Sequence, residues 1–216
     1  MIKLVIFDLD GTLANTLEDL ADATNYGLKK AGMATHSLEK YNKFVGSGID
    51  NLVKRAIYPE TDTRLFDIVK SGFNEYYSAH SIDKTKAYNT SEELLDKLAM
   101  QRILTAVLSN KPNEFVGEIL RKIFPDHRFS CAWGKKPEFS VKPNPDALNA
   151  IIREVGVNKE QCLYVGDSDV DCFTAQNAGI KCCGVSWGFR GKDELLNAGA
   201  DFVIDDALQL LEILEK

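Results

Sequence analysis

With 216 residues the chain is long enough to bury a sizeable core but short for two full-sized independent domains, so one core carrying an insertion is expected. A formal net charge of -6, with 27% charged residues and no run dense in lysine and arginine, argues against nucleic acid or an anionic membrane surface as the main partner. No charged-then-apolar leader precedes the first strand, and no apolar run approaches the roughly 20 residues that span a bilayer. A cytoplasmic protein is expected, with a monomer and a homodimer both open.

Leu4 to Phe7 reads as a buried strand, and the stretch Val5-Ile6-Phe7-Asp8-Leu9-Asp10-Gly11-Thr12-Leu13 sends two carboxylates out of its end. Residues i and i+2 share a face of a strand, so Asp8 and Asp10 leave together at the carboxyl end, where open α/β sheets place their ligands. An EF-hand loop starting at Asp8 would need an oxygen ligand, a glycine and a glutamate at its fifth, sixth and twelfth positions. Those positions hold Thr12, Leu13 and Asp19, and that reading fails.

From about Thr16 to Ile82 no clear strand follows, only amphipathic helical pattern at Leu17 to Ala31, Ile49 to Ile57 and Arg64 to Ala79. An all-helical insertion of residues 16–82 within a core of 1–15 and 83–216 is the expected division. Its arms, Ala14-Asn15-Thr16 and the polar stretch Ser81 to Asn89, are hinge candidates.

Beyond residue 82 the pattern alternates. Apolar runs at Ile103 to Leu108, Leu163 to Val165, Cys182 to Val185 and Phe202 to Ile204, with a weaker one at Phe129 to Trp133, read as buried strands. Helical patterns lie between and around them at Ser91 to Met100, Asn113 to Ile123, Pro145 to Val155, Val170 to Ala178, Asp193 to Ala198 and Ala207 to Leu214. Such alternation predicts a doubly wound α/β core with a parallel sheet covered on both faces. Cys131, Cys162, Cys172, Cys182 and Cys183 form no Cys-x-x-Cys pair and read as reduced, mostly buried thiols, and His36, His80 and His127 as surface histidines.

Three more polar segments follow predicted strands: Val107-Leu108-Ser109-Asn110-Lys111, Val141-Lys142-Pro143 and Tyr164-Val165-Gly166-Asp167-Ser168-Asp169-Val170-Asp171. With Asp8-x-Asp10-x-Thr12, their identity and order resemble the four signatures of the haloacid dehalogenase-like superfamily of phosphohydrolases. The helical insertion at its particular place resembles that superfamily's C1 cap. A phosphate monoester repels carboxylates, so a site built from them calls for a divalent cation, and Mg²⁺, which favours oxygen ligands, is the natural choice.

The resemblance implies that Asp8 offers a carboxylate oxygen, Asp10 its backbone carbonyl and Asp167 the far side of the Mg²⁺ site. It implies Asp8 as nucleophile, forming an aspartyl-phosphate, and Asp10 as general acid and base for the leaving oxygen and the attacking water. Thr12 resembles the position that supports the turn at Gly11. Ser109 and the backbone near Asn110 would bind phosphoryl oxygens, Lys142 would add a positive charge, and Asp171, with Ser168 beside it, would hold Lys142 or metal-bound water from behind. Judged alone, Ser109-Asn110 also reads as a helix cap before Pro112, and Lys142 as a loop lysine.

Within the insertion, Val45-Gly46-Ser47-Gly48-Ile49-Asp50-Asn51-Leu52, together with Trp187-Gly188-Phe189-Arg190 near the C-terminus, resembles phosphoglycolate phosphatase-like members. Gly46 and Gly48 would let the loop approach the substrate, and Arg55 is either a contact for a substrate anion or a solvent-facing helix arginine. Asn15-Thr16 departs from the Asp-Ser or Asp-Thr common after the first signature. The expected activity is hydrolysis of a small phosphorylated metabolite, phosphoglycolate phosphatase-like, with a sugar-phosphate phosphatase or phosphomutase and an inorganic pyrophosphatase left open on the same core. Asp10 speaks against the dehalogenases and phosphonate hydrolases of the superfamily, which lack that second aspartate. A receiver domain would carry its phospho-accepting aspartate after the third strand, without a helical insertion.

Overall fold

The computed structural model describes residues 1–214. The chain runs β1 (Leu4–Phe7), β2 (Ala14–Asn15), α1 (Leu17–Lys30), α2 (Leu38–Phe44), α3 (Ile49–Ile57), α4 (Thr63–His80), β3 (Lys86–Ala87), α5 (Ser91–Met100), β4 (Leu104–Pro112), α6 (Asn113–Ile123), β5 (Cys131–Lys135), α7 (Asp146–Val155), β6 (Cys162–Gly166), α8 (Asp169–Ala178), β7 (Lys181–Val185), α9 (Lys192–Asn197), β8 (Phe202–Ile204) and α10 (Gln209–Leu214).

Six strands form one sheet in the order β5-β4-β1-β6-β7-β8, every pairing parallel. Because β1 is central it is apolar on both faces, and its side chains divide by parity. Val5 and Phe7 join the cluster under α5, α6 and α10, whereas Leu4 and Ile6 join the one under α7, α8 and α9. The sheet is the expected doubly wound one. From β1 the chain adds β4 and β5 on one side and then β6, β7 and β8 on the other. That reversal opens a crevice beyond the carboxyl end of β1, between the ends of β4 and β6.

Helices α1 to α4 lie between β2 and β3 in sequence and bury two apolar clusters of their own, one around Tyr41, Phe73 and Tyr77, the other around Leu28, Val53 and Val69. The predicted arms pair as a two-residue antiparallel ribbon, Ala14 with Ala87 and Asn15 with Lys86. The buried Asp19 carboxylate, at the start of α1, accepts from Lys84 N, Thr85 N and Thr85 Oγ1 at 2.7 to 3.1 Å, tying the outgoing arm to the returning one.

Several elements differ from the sequence expectation. Helix α2 has no predicted counterpart, since its seven residues bury Tyr41 alone and show little periodicity. Strand β4 runs on to Pro112 through a register shift after Leu108, so Ser109, Asn110 and Lys111 are strand residues and not a helix cap. The weaker strand lies at Cys131–Lys135, two residues later than predicted. All five cysteines are free and buried. The three histidines are half-buried and bonded rather than freely exposed: His36 to the Ala56 carbonyl, His80 to Asp83 and His127 to Thr105.

Candidate active site

Asp8 follows β1 directly, its amide bonded to the Val165 carbonyl of β6 at 2.8 Å. The chain then turns sharply, with Leu13 and Ala14 donating back to the Leu9 carbonyl. Gly11 makes this turn possible. Its φ is +89°, and a Cβ there would sit 2.3 Å from an Asp167 carboxylate oxygen. The turn therefore brings the first loop's backbone against the acidic end of β6, a closeness that any side chain at residue 11 would prevent.

Asp8, Asp167 and Asp171 each offer a carboxylate oxygen, all within 4.8 Å of one another, and all three side chains are buried. Lys142 Nζ lies 2.9 Å from Asp8 Oδ1 and 2.7 Å from Asp171 Oδ1, and donates to Tyr164 Oη at 3.1 Å. Asp171 is further occupied by Ser168, whose amide and hydroxyl both donate to Asp171 Oδ2 in the capping box that opens α8. A local helix start thus delivers the carboxylate that holds the lysine. Asp167 Oδ2 accepts from the Phe189 amide at 2.7 Å.

Three buried carboxylates face one ammonium, and the charge does not balance. Burial pushes the Asp8 carboxyl up to about 7; Lys142 opposes that shift, while Asp171 and Asp10 add to it. Burial and the charges of Asp171 and Asp8 hold Asp167 well above the usual carboxylate range. Lys142 is held above the lysine range, because Asp171 and Asp8 more than offset its desolvation. Among the described residues Asp8 Oδ1 is also buried without a well-directed hydrogen bond, despite its ion pair. A set of oxygen donors with surplus negative charge and an orphaned oxygen fits a hard divalent cation.

The side chain of Asp10 belongs to a different group. Its Oδ1 accepts from Thr16 Oγ1 at 2.6 Å and from Lys111 Nζ at 2.9 Å, and Asp171, not Asp10, completes the carboxylate cluster. Lys111 is buried and stands 5.0 Å above the ring of Tyr77 from α4. Burial works against its charge, but Asp10 and Tyr77 more than compensate and raise the ammonium above the usual lysine range. Lys111 was legible only as part of a motif, with no role attached to it. Its partners come from distant segments.

A narrow cleft of about 30 Å³, partly open to solvent, is lined by Asp8, Asp10, Ser109, Asn110 and Lys111 from the core and by Leu20, Val45, Gly46, Gly48, Ile49 and Leu52 from the insertion. The Asn110 side chain spans both sides: its Oδ1 accepts from the Lys142 amide at 2.8 Å, and its Nδ2 donates to the Gly46 carbonyl and to the Lys142 carbonyl. Ser109 Oγ accepts from the Lys111 amide.

Two predicted site residues lie elsewhere. Thr12 is buried behind the turn, its hydroxyl without a partner among the described residues and its carbonyl accepting from Trp187 Nε1, and it does not line the cleft. Arg55 does not line it either. Its guanidinium donates to the Phe44 carbonyl at 2.8 Å and to Ser47 Oγ at 3.0 Å, with longer contacts to Lys43 and Val45. Arg190 from the core donates to the Asn42 and Val45 carbonyls of the same loop. Both arginines shape the loop that carries Gly46 and Gly48.

Residues 5–185 match the family model of the haloacid dehalogenase-like hydrolases. The chain is 34% identical over 98% of its length to the phosphoglycolate phosphatase of Vibrio cholerae, covering 96% of that protein, and 32% identical to that of Haemophilus influenzae, covering 98% of each. The crystal structure of a predicted phosphoglycolate phosphatase from Haemophilus somnus 129pt superposes with a TM-score of 0.91 at 32% identity, over 98% of this chain and 97% of that one. A predicted phosphatase from Clostridium acetobutylicum gives 0.89 at 25% identity over the whole of both chains. Likeness that runs the full length in both sequence and fold shows that the chain belongs to the haloacid dehalogenase-like hydrolases.

Proposed function

We propose that this phosphatase hydrolyses a compact, carboxylate-bearing phosphate monoester of the phosphoglycolate type, with residues 16–82 acting as a cap over the core of 1–15 and 83–216. The observation that carries this reading is the buried Asp8 at the switch point of the sheet, with Lys142 at 2.9 Å and the small cleft opening in front of it. The relatives named for phosphoglycolate support the choice of substrate. The apolar Leu20, Val45, Ile49 and Leu52 in the wall of the narrow cleft also favour a compact molecule over a polyhydroxylated sugar phosphate or a nucleotide.

Asp8 attacks phosphorus through a carboxylate oxygen, giving an aspartyl-phosphate and splitting the hydrolysis into two steps. Lys142, held by Asp171, sets a positive charge beside both nucleophile and phosphoryl oxygens, and Ser109 with the backbone at Asn110 donates to those oxygens. Asp10 gives a proton to the leaving oxygen and then takes one from the attacking water. Asp8, the Asp10 carbonyl and Asp167 would hold Mg²⁺, whose charge lowers the repulsion between carboxylate and phosphate. Among the described residues no helix is long and apolar enough to cross a membrane.

The test compares kcat/KM for 2-phosphoglycolate, sugar phosphates, nucleotides and pyrophosphate, with Mg²⁺ and with chelator. Phosphoglycolate is expected to lead, and Asp8→Asn is expected to abolish turnover while leaving the circular dichroism spectrum intact. Mg²⁺-dependent turnover persisting in Asp8→Asn would rule out the covalent route. A sugar phosphate or pyrophosphate at the head of the ranking would replace the substrate assignment.

A further inference from the structure

The positive charges around the cleft are unequally committed. Lys142 is held between Asp8 and Asp171. The guanidinium of Arg55 is spent on the 43–47 loop, and that of Arg190 on the Asn42 and Val45 carbonyls and on Glu194. Lys111 differs from all three. It lines the cleft, its side chain is 2% exposed, and among the described residues its side-chain hydrogen bond goes to Asp10 alone. An ammonium carries three donors; Asp10 takes one, and Tyr77, whose ring lies 5.0 Å away and whose hydroxyl is close enough to hold the lysine's proton more tightly, occupies a second side. Donor capacity is left over in a place that water does not freely reach.

We propose that Lys111 is the specificity-determining residue of this site: its ammonium takes the carboxylate of a phosphoryloxy acid whose carboxyl group is one carbon from the ester oxygen. The placement follows from the reaction assigned above, on which this inference rests. If Asp10 protonates the leaving oxygen, that oxygen lies within hydrogen-bond reach of Asp10, and Lys111 Nζ is only 2.9 Å from Asp10 Oδ1. A substituent on the carbon next to the leaving oxygen therefore arrives at Lys111. On a two-carbon ester that substituent is the carboxylate. A longer polyhydroxylated group would run on toward Leu20, Val45, Ile49 and Leu52, which offer it no polar side chain.

The experiment reads binding without turnover. With Mg²⁺ present, calorimetry compares 3-phosphonopropionate, in which a methylene replaces the ester oxygen of phosphoglycolate, with propylphosphonate, which carries a methyl in place of the carboxylate. A charge-assisted hydrogen bond predicts that the native protein favours the carboxylate by about ten- to hundredfold. In Lys111→Met the two are expected to bind within about twofold of each other. Asp10→Asn, which leaves Lys111 without its rival carboxylate, is expected to keep or widen the preference, and the Asp10→Asn/Lys111→Met double variant to lose it. The double variant also keeps the comparison available if Lys111→Met, which leaves the buried Asp10 carboxylate with Thr16 but no cation, fails to fold. A tenfold preference surviving in the Lys111 variants would overturn the assignment and return carboxylate recognition to the loop at Gly46 to Gly48. A native protein without the preference would overturn it too. If the native protein shows the preference but hydrolyses neither phosphoglycolate nor ethyl phosphate, the reaction assignment fails and not the reading of Lys111.

Discussion

Asp8 and Asp10 are two residues apart, yet their side chains have different partners. Asp8 faces Lys142 with one oxygen otherwise unbonded, whereas Asp10 is gripped by Thr16 and Lys111. If Asp10 serves the leaving group, Asp10→Asn should slow hydrolysis of ethyl phosphate by about 10²- to 10⁴-fold. Turnover of p-nitrophenyl phosphate, whose phenolate needs little protonation, should fall far less; equal losses in kcat would refute the role. Arg55→Ala should loosen the 43–47 loop, costing about 1 to 3 kcal/mol of stability and raising KM for phosphoglycolate and ethyl phosphate alike. A rise confined to phosphoglycolate would restore Arg55 as a direct substrate contact. The polar residues at the strand ends were legible in the sequence because strand periodicity and turn residues are local. The partners of Lys111 and Arg55 were not. One depends on how β4 continues past a register shift to meet an aspartate 101 positions away, the other on carbonyls of an irregular loop that no side-chain pattern announces.

The same division holds for the elements. Strands of the buried sheet and helices with a sustained apolar stripe were readable to within a residue or two at most ends, since a strand buried on both faces reads as an unbroken apolar run and a helix buried on one side as an apolar stripe of helical period. Helix α2 and the β2–β3 ribbon were not readable, because seven residues with one buried side chain, or two residues per strand, are too short to show one. That ribbon depends instead on Asp19. Removing its carboxylate strands the Lys84 and Thr85 amides, a loss of about 2 kcal/mol, so Asp19→Ala should lower Tm by about 4 to 8 °C for a chain of this size. If the arms set the attitude of the helical lobe, KM should rise as well, and kinetics at a temperature well below the new Tm will show it. An unchanged Tm would mean that the ribbon is held without Asp19.

At the scale of the whole molecule, the surplus negative charge at the end of the sheet makes stability depend on what neutralises it. A cation that binds only the folded state at a hundred times its Kd adds about 2.7 kcal/mol. Mg²⁺ in that excess should therefore raise Tm by about 5 to 11 °C over the chelated protein, and Asp167→Asn should remove most of that shift. A shift of full size in Asp167→Asn would place the ion elsewhere. The central position of β1 has a different consequence, one for the order of folding. Its partners, Leu104 on one side and Cys162 on the other, are far along the chain from Leu4, so the middle of the sheet cannot form until long loops have closed. Helices α1 to α4 contact mainly one another and begin and end at a single narrow ribbon. Once folded, they shorten the loop between β1 and β4 roughly threefold, which lowers the entropy cost of closing it by about 1 kcal/mol. The helical lobe would then guide assembly of the sheet, whatever part it goes on to play at the site.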